Sequence, residues 1–266
     1  MSKPVALITG ASAGIGQALT REYARRGFRV VVLARRLDRL QQVTQELGDD
    51  ALAIVCDVAQ DDDLPRAATE ALAKFGRIDV AIANAGISVQ GEFDDVSIDD
   101  FRRVFETNVF GAIRTAKACL PALTESKGRF AIVSSVSAFV ALPQMSVYST
   151  SKFAARALAE TLSIEWAALG VSVTHIAPGF VESDLRTTDN QGTHHAEWKD
   201  PVPQFLVMPA QTAARQMADA INARRAEFVV TAHGKLATAV ARHLSGPVHA
   251  GLRFAGKRLK RTKGSK

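Results

Sequence analysis

Short apolar runs alternate with longer amphipathic segments along almost the whole chain of 266 residues. The runs are rich in β-branched residues and most lack polar alternation, which is typical of strands covered on both faces. Strand alternating with helix predicts a parallel sheet with helices on both sides. Strands are predicted at 5–9, 29–34, 51–56, 80–84, 129–134, 171–176 and 227–231, and helices at 14–26, 37–47, 61–75, 101–124, 148–169 and 209–224.

Connection rules narrow this pattern to one economical solution. Crossovers between parallel strands are right-handed, which favours a doubly wound sheet, in which strands are added outward from the first strand on both sides. We therefore predict a single doubly wound, Rossmann-like α/β domain over residues 1–235, with strand order 3-2-1-4-5-6-7. The polar segment 184–208 breaks the rhythm and is predicted to be a mobile loop or lid. Residues 236–266 are predicted to form a basic C-terminal extension.

The first predicted strand leads directly into "TGASAGIG" (9–16), ahead of the first predicted helix. Its three glycines allow a sharp turn and a close approach to a pyrophosphate at a helix N-terminus. A glycine cluster alone is a weak indication, because loops are rich in glycine, but its place after the first strand favours dinucleotide binding. The predicted phosphate-binding residues are Gly10, Ser12, Gly14, Ile15 and Gly16.

Two arginines follow the second predicted strand, where dinucleotide enzymes often carry an acid. An acid there binds both ribose hydroxyls and repels a 2′-phosphate, whereas a guanidinium grips phosphate oxygens. Arg35 and Arg36 therefore favour NADP(H) over NAD(H), although two solvated arginines opening a surface helix would look the same. After the third strand, Asp57, with Val58 beside it, could accept a hydrogen bond from the adenine amino group, or be an ordinary loop aspartate.

The stretch "SVYSTSKFA" (146–154) places a phenol and an amine four residues apart, on one face of a predicted helix. A phenol titrates near pH ~10, and one cation at about 4–5 Å supplies roughly 3–4 kcal/mol toward the ~4 kcal/mol that a shift of ~3 units needs. Lys152 is therefore expected to lower the pKa of Tyr148, which would serve as general acid or base. The spacing alone is common on helices, but Ser135, at the end of a predicted strand, could polarise a substrate carbonyl.

These residues occur together with "NAG" (84–86), "NVFG" (108–111) and "PGFVES" (178–183). In this order and spacing, over about residues 4–231, the chain closely resembles the short-chain dehydrogenase/reductase superfamily. The resemblance implies an oxidoreductase that moves hydride between the nicotinamide cofactor, here NADP(H), and a carbonyl or secondary alcohol. It also implies a homodimer or homotetramer packed through helices 101–124 and 148–169.

The resemblance gives a role to each matching residue. Two departures are mild, since Ala83 stands where the family often has asparagine, and Ser183 replaces the usual threonine but keeps the hydroxyl. The implied catalytic residues are Asn108, holding a water in a proton relay, Ser135, orienting the substrate, Tyr148, as acid or base, and Lys152, binding the nicotinamide ribose. The expected cofactor contacts beyond the phosphate loop are therefore Arg35, Arg36, Asp57 and Val58 from the interpretation above, together with Asn84, Ala85, Gly86, Tyr148, Lys152, Pro178, Gly179, Val181 and Ser183 from the resemblance.

Two further sets of residues bear on the substrate and on metals. His194 and His195 are adjacent and lack partners at ligand spacing, so no metal site is predicted. Apolar residues in and beside the lid, and after Ser135, weakly favour a lipophilic carbonyl substrate, although those near the lid could equally pack it against the body. They are Phe180, Leu185, Trp198, Phe205, Leu206, Ala138, Phe139, Val140 and Leu142.

The net charge of +6 is concentrated at the C-terminus. Residues 242–266 carry eight Lys/Arg and no acid, so the rest of the chain is slightly acidic. Apolar positions there recur at helical spacing, which predicts either an amphipathic helix on an anionic membrane or a solvated extension. Nucleic-acid binding is not expected, because interleaved aromatic residues are almost absent. The apolar positions are Val248, Leu252, Ala255 and Leu259.

The start of the chain and its cysteines complete these expectations. The N-terminus runs almost directly into the first predicted strand and no apolar run reaches ~18 residues, so we expect a cytoplasmic location, at the inner membrane surface if the tail binds lipid. Cys56 and Cys119 are expected to be reduced, buried thiols. An alternative of another class is an NADPH-sensing regulator or scaffold without turnover, which a damaged Ser-Tyr-Lys set would indicate; here that set is whole.

Overall fold

A parallel sheet forms the centre of the computed structural model, which describes residues 2–244, 246–247, 250–251 and 253–254. Its strands lie in the order β3-β2-β1-β4-β5-β6-β7, so the predicted doubly wound fold and strand order are confirmed. The strands are β1 (Val5–Thr9), β2 (Arg29–Ala34), β3 (Ala51–Val55), β4 (Val80–Ala83), β5 (Arg129–Val133), β6 (Ser172–Ala177) and β7 (Glu227–Val229).

Helices cover both faces of this sheet. One core lies between the sheet and α3, α5 and α6, and a second lies between the sheet and α1, α2 and α7. Every residue of β1 is buried, as its apolar run without alternation predicts. These helices and the two others are α1 (Gly14–Arg25), α2 (Leu37–Thr44), α3 (Asp63–Phe75), α4 (Ile98–Phe105), α5 (Gly111–Ser126), α6 (Ser146–Glu165), α7 (Ala210–Asn222) and α8 (Ala232–His243).

The helix predicted at 101–124 is two helices joined by a π-helical turn. Helix α4 begins earlier than predicted because Ser97 and Asp100 form a capping box, in which the Ser97 hydroxyl accepts from the Asp100 amide at 3.1 Å. The π-helical turn Glu106–Phe110 then separates α4 from α5. Such turns are rare and often occur at functional sites. This one contains Asn108.

The C-terminal part differs from the regular alternation. The segment 184–208, all of it described, is built from turns and includes the short 3₁₀ helices Asp184–Thr187 and Gln204–Leu206. Helix α8 crosses position 235, so the boundary predicted there falls inside a helix, and that division of the chain remains a prediction. The apolar tail positions Val248, Leu252, Ala255 and Leu259 lie outside the described residues. Within the described part, no helix has both the length and the apolar character needed to cross a membrane.

Candidate active site

The glycine loop forms a tight cradle between β1 and α1. Gly10 and Gly14 have positive φ angles of 66° and 52°, which glycine adopts without strain. A Cβ added at Gly16 would lie 2.2 Å from the carbonyl oxygen of Gly10 and 2.6 Å from the side chain of Asn84. The N-cap Ala13 makes no side-chain hydrogen bond to the first turn of α1. The helix start therefore offers its amide groups to an anion.

A polar junction joins this loop to the end of β4. The Asn84 side chain donates to the carbonyl oxygens of Thr9 at 2.9 Å and Gly10 at 3.3 Å. The Thr9 hydroxyl accepts from the amides of Asn84 and Ala85, each at 3.0 Å. The predicted position of Asn84 beside the loop agrees with this geometry, whereas the part played by Thr9 was not predicted. The feature of the sequence that could have indicated this role is the hydroxyl of Thr9 at the end of an otherwise apolar predicted strand.

The two arginines lie at the carboxyl end of β2, close to the glycine loop. Arg35 and Arg36 are exposed, and the Arg36 guanidinium donates to the Ser12 hydroxyl at 3.4 Å. Asp57 follows β3, and one of its carboxylate oxygens accepts from the Ala59 amide at 3.1 Å. Two strand ends beside the loop thus present cationic and acidic groups at the same edge of the sheet.

Asn108 is buried in the π-helical turn and holds two segments together. Its carbonyl oxygen accepts from the Ile87 amide at 2.8 Å, and its amide group donates to the Ile87 oxygen at 3.0 Å. It also donates to the Ser151 hydroxyl at 2.9 Å. Ser151 is a further buried residue that the motifs did not single out, although its place one helical turn after Tyr148 indicates the same helix face.

Tyr148 and Lys152 lie together on α6, as their spacing predicts. The Lys152 amine lies 5.4 Å from the centroid of the Tyr148 ring, and both side chains are buried. The amine donates to the Val133 carbonyl oxygen at 3.3 Å. A Cβ added at Gly86 would lie 3.3 Å from this amine and 3.2 Å from an oxygen of Asn108. The space around the amine therefore depends on a glycine at position 86.

Charge and burial at this pair differ from the sequence-based expectation. Burial raises the pKa of Tyr148, although a hydrogen bond with Ser135 and the positive charge of Arg186 act in the opposite direction. Burial also lowers the pKa of Lys152 to about 8. The direction of the pKa shift at Tyr148 is thus opposite to the one predicted from a lysine four residues away, because burial outweighs the effects of Ser135 and Arg186.

The segment after β6 faces the glycine loop from the other side of the crevice. The Pro178 carbonyl oxygen accepts from the Val136 amide at 2.9 Å, which ties this segment to the one that carries Ser135. A Cβ added at Gly14 would lie 3.2 Å from the Cβ of Ser183. Gly179 is closely packed, since an added Cβ would lie 2.2 Å from the Thr231 hydroxyl. The residues implied on the two sides of the crevice are therefore neighbours in space.

The segment 184–208, predicted to be a lid, contacts the segment after β4 through Asn190. The Asn190 side chain donates to the Gln90 carbonyl oxygen at 2.8 Å and accepts from the Gln90 amide at 3.0 Å. Arg103 of α4 donates to the backbone oxygen of Asn190. Nearer its start, Arg186 binds the Asp200 carboxylate, with the shortest contact at 2.5 Å. Neither Arg186 nor Asn190 was predicted, because no motif marks them.

His195 in the segment 184–208 has carboxylate and aromatic neighbours, whereas Nδ1 of His194 lies 3.2 Å from the Thr187 hydroxyl. His195 contacts Asp189 at 2.9 Å and Glu197 at 3.1 Å, and its ring stacks on Trp198 with centroids 4.2 Å apart. The pKa of His195 is raised, chiefly by its hydrogen bond with the Asp189 carboxylate. Among the described residues, no group of three or more His, Cys, Asp or Glu is arranged to hold a metal ion.

Known sequences with similar motifs include oxidoreductases. A family model described as "short chain dehydrogenase" matches residues 4–194. An 11-beta-hydroxysteroid dehydrogenase 1A of Arabidopsis thaliana is 39% identical over 188 residues, covering 68% of this chain and 53% of that protein. A dehydrogenase/reductase SDR family member 7B of Rattus norvegicus is 34% identical over 68% of this chain and 59% of its own length. The chain thus spans little more than half the length of these relatives.

Solved structures share this fold. A short-chain dehydrogenase of Streptomyces avermitilis has a TM-score of 0.79 and 27% identity, covering 97% of this chain and 99% of that one. An alcohol dehydrogenase of the archaeon Thermococcus sibiricus, in complex with 5-hydroxy-NADP, has a TM-score of 0.75 and 27% identity over 86% and 97% of the two chains.

Proposed function

The chain belongs to the short-chain dehydrogenase/reductase superfamily, and from this premise we propose that it interconverts a carbonyl and a secondary alcohol on a lipophilic small molecule with NADP(H). The observation that carries the proposal is the burial of Tyr148 and Lys152 together on α6, where the Lys152 amine also donates to the end of β5, two residues before Ser135. Such a grouping can hold a carbonyl oxygen and give it a proton.

The residues present fit a dinucleotide. The glycine cradle closes if a Cβ is added at Gly16, and the start of α1 offers amide groups to phosphate. Arg35 and Arg36, exposed at the end of β2, would hold a 2′-phosphate, and Lys152 would bind the nicotinamide ribose. When bound, the dinucleotide supplies or accepts the hydride.

Each side chain of the site has a separate role in the proposed proton transfer. The raised pKa keeps the Tyr148 phenol protonated at neutral pH, which suits donation of its proton to a carbonyl oxygen during reduction. The Ser135 hydroxyl would orient that oxygen and stabilise its developing charge. Oxidation of an alcohol needs the phenolate, which the positive charges of Lys152 and Arg186 favour. Asn108, held by Ile87 and Ser151, would position a water for the return of protons.

Exposed apolar side chains after Ser135, after β6 and in the segment 184–208 support a lipophilic substrate. Phe180, Leu142 and Trp198 are 38%, 45% and 47% exposed, which leaves apolar surface for a ligand. The names of the Arabidopsis relatives, hydroxysteroid dehydrogenases, point to the same class. The test is an NADPH-oxidation screen with ketones, aldehydes, steroids and quinones. Turnover confined to charged, hydrophilic carbonyls would remove the lipophilic assignment, and no turnover with any carbonyl would remove the enzymatic one.

We expect Arg35→Ala and Arg36→Ala each to weaken NADPH binding by about 10- to 100-fold, the equivalent of about 1.5–3 kcal/mol for a hydrogen bond to a charged group. NADH binding should stay unchanged, because NADH lacks the 2′-phosphate. Fluorescence titration with both cofactors measures the two affinities. Arg39→Ala, on the same exposed stretch, is the matched control. Equal losses for NADPH and NADH would contradict the NADP(H) assignment.

We also propose a homo-oligomer that packs through α5 and α6. Phe153 and Ile164 on α6 are 41% and 78% exposed, and Phe110 directly before α5 is 46% exposed. Apolar surface of this kind is typical of a protein interface. Ile164→Glu is expected to shift the parent oligomer toward smaller species in size-exclusion chromatography with light scattering. A parent protein that runs as a monomer would contradict the proposal.

A further inference from the structure

Two guanidinium groups lie over one aromatic ring behind the Ser135 segment. The guanidinium carbons of Arg156 and Arg242 lie 4.1 Å and 4.8 Å from the centroid of the Phe139 ring. Both distances are within the range of cation–π attraction, and arginine stacks on aromatic faces through its planar group. The three residues come from distant parts of the chain, namely the loop after β5, helix α6 and helix α8.

The carboxylate of Glu227 lies between the two arginines, although Arg156 donates its hydrogen bond to Glu160, at 2.7 Å. Glu227, at the start of β7, accepts from Arg242 at 2.7 Å with each of its oxygens and lies 3.8 Å from the Nε of Arg156. It also lies 3.6 Å from Nδ1 of His175, which is buried in β6. The neighbouring His175 and Arg242 keep the pKa of Glu227 low, at about 2, so that the carboxylate stays charged.

The ring held in this way belongs to the segment that carries Ser135. The Phe139 amide donates to the Val136 oxygen at 2.9 Å, and the Val136 amide donates to the Pro178 oxygen at 2.9 Å. Ser135 caps the short 3₁₀ helix between them by accepting from the Ser137 amide at 3.0 Å. A shift of the Phe139 ring would therefore be transmitted to the backbone on which the Ser135 hydroxyl is mounted.

We propose that Phe139, Arg156, Arg242 and Glu227 form a clamp that positions Ser135 against the substrate oxygen, with Arg156 also fixing the clamp to the helix of Tyr148 and Lys152. Arg156 lies one helical turn beyond Lys152 on α6, so the clamp sets the Ser135 segment against the helix that bears the phenol. These are positioning residues, since they act through Ser135. The inference rests on the proposed carbonyl chemistry, and it makes α8 part of the catalytic domain.

Arg242→Ala and Phe139→Leu test the clamp. We expect each to lower kcat by about 10- to 100-fold, because misplacement of a positioning group by about 1 Å can cost up to ~10² in rate. The NADPH dissociation constant should change by less than about twofold, since the cofactor contacts are elsewhere. The double variant should lose little more kcat than either single variant. Phe139→Tyr, which keeps the ring, should have the kcat of the parent protein. Arg225→Ala removes a comparable contact with Phe228 (5.5 Å) that does not involve Phe139, and it should leave kcat unchanged.

Amide hydrogen exchange provides a measurement that needs no substrate. In Arg242→Ala and Phe139→Leu, exchange across residues 136–140 should become faster, while that of α1 stays as in the parent protein. Unchanged exchange in this segment, or fully additive effects of the two changes on kcat, would overturn the clamp. Absence of turnover in the parent protein would instead overturn the proposed function, while the exchange measurement would still decide whether the clamp holds the segment.

Discussion

The Tyr148→Phe protein is expected to bind NADPH as the parent protein does and to lose about 10³-fold in kcat, within the range of about 10²–10⁴ for general acid–base catalysis. The phenol is the group that we propose to give its proton to the substrate oxygen, and it is buried beside Lys152. Removing only the oxygen keeps the ring and its packing. Fluorescence titration reports NADPH affinity, and NADPH oxidation with the best carbonyl of the screen reports kcat.

The chain offers a matched control for this change. Tyr23, its only other tyrosine, is also buried, and its hydroxyl has no hydrogen-bond partner among the described residues. Tyr23→Phe removes the same atom from the core beneath α1 and should leave kcat as it is in the parent protein. If Tyr148→Phe kept more than about a tenth of the parent kcat, general acid catalysis by Tyr148 would be wrong.

Lys152→Met is expected to abolish most turnover and, at the same time, to stabilise the fold by about 2–3 kcal/mol at pH 7. Burial lowers the pKa of Lys152 from 10.5 to about 8, and a shift of one unit corresponds to about 1.4 kcal/mol. A buried charge without an acidic partner costs stability, and methionine fills similar space without charge. The loss of the 3.3 Å hydrogen bond to Val133 offsets part of the gain.

The pH dependence of this gain has a definite sign. Below pH about 8 the Lys152 amine is charged in both folded and unfolded protein, and its full cost is present. Between about 8 and 10.5 the unfolded protein binds more protons, so the parent protein gains stability as pH rises and approaches the variant. Urea unfolding of both proteins at pH 7, 8.5 and 9.5 measures the difference, in which all other groups cancel. Lys117→Met, an exposed lysine of α5, should change little. A difference that does not shrink with pH would contradict the buried-charge account.

Much of the fold and of the site was predictable because it rests on local patterns. The strand order follows from apolar runs and crossover rules, and it is confirmed. Gly16 was predictable because a close approach between backbone segments requires glycine, and it belongs to the glycine motif after the first strand. Asn84 was predictable because it directly follows a predicted strand in the motif "NAG" (84–86). The structure brings these residues together at one edge of the sheet, as the carboxyl ends of parallel strands require.

Other features depend on contacts between distant residues and leave no local pattern. The π-helical turn at Asn108 reads as ordinary helix in the sequence. Arg186 lies 38 positions after Tyr148 in the sequence, and its charge lowers the pKa of Tyr148 only because the folded segment 184–208 brings the two side chains near each other. The rise in the pKa of Tyr148 has the same origin, because burial is a property of the assembled core and the spacing of two residues on a helix does not determine it.

The hydrogen bonds that hold the segment 184–208 at Asn190 bear on the predicted role of this segment as a lid. One asparagine side chain holds both backbone groups of Gln90, and its own backbone oxygen is held by Arg103. All three bonds involve a single residue, so a movement of the segment 184–208 away from β4 would have to break them. If the proposed reaction requires that movement for reactants to enter and leave, we expect turnover to be no faster than release at Asn190.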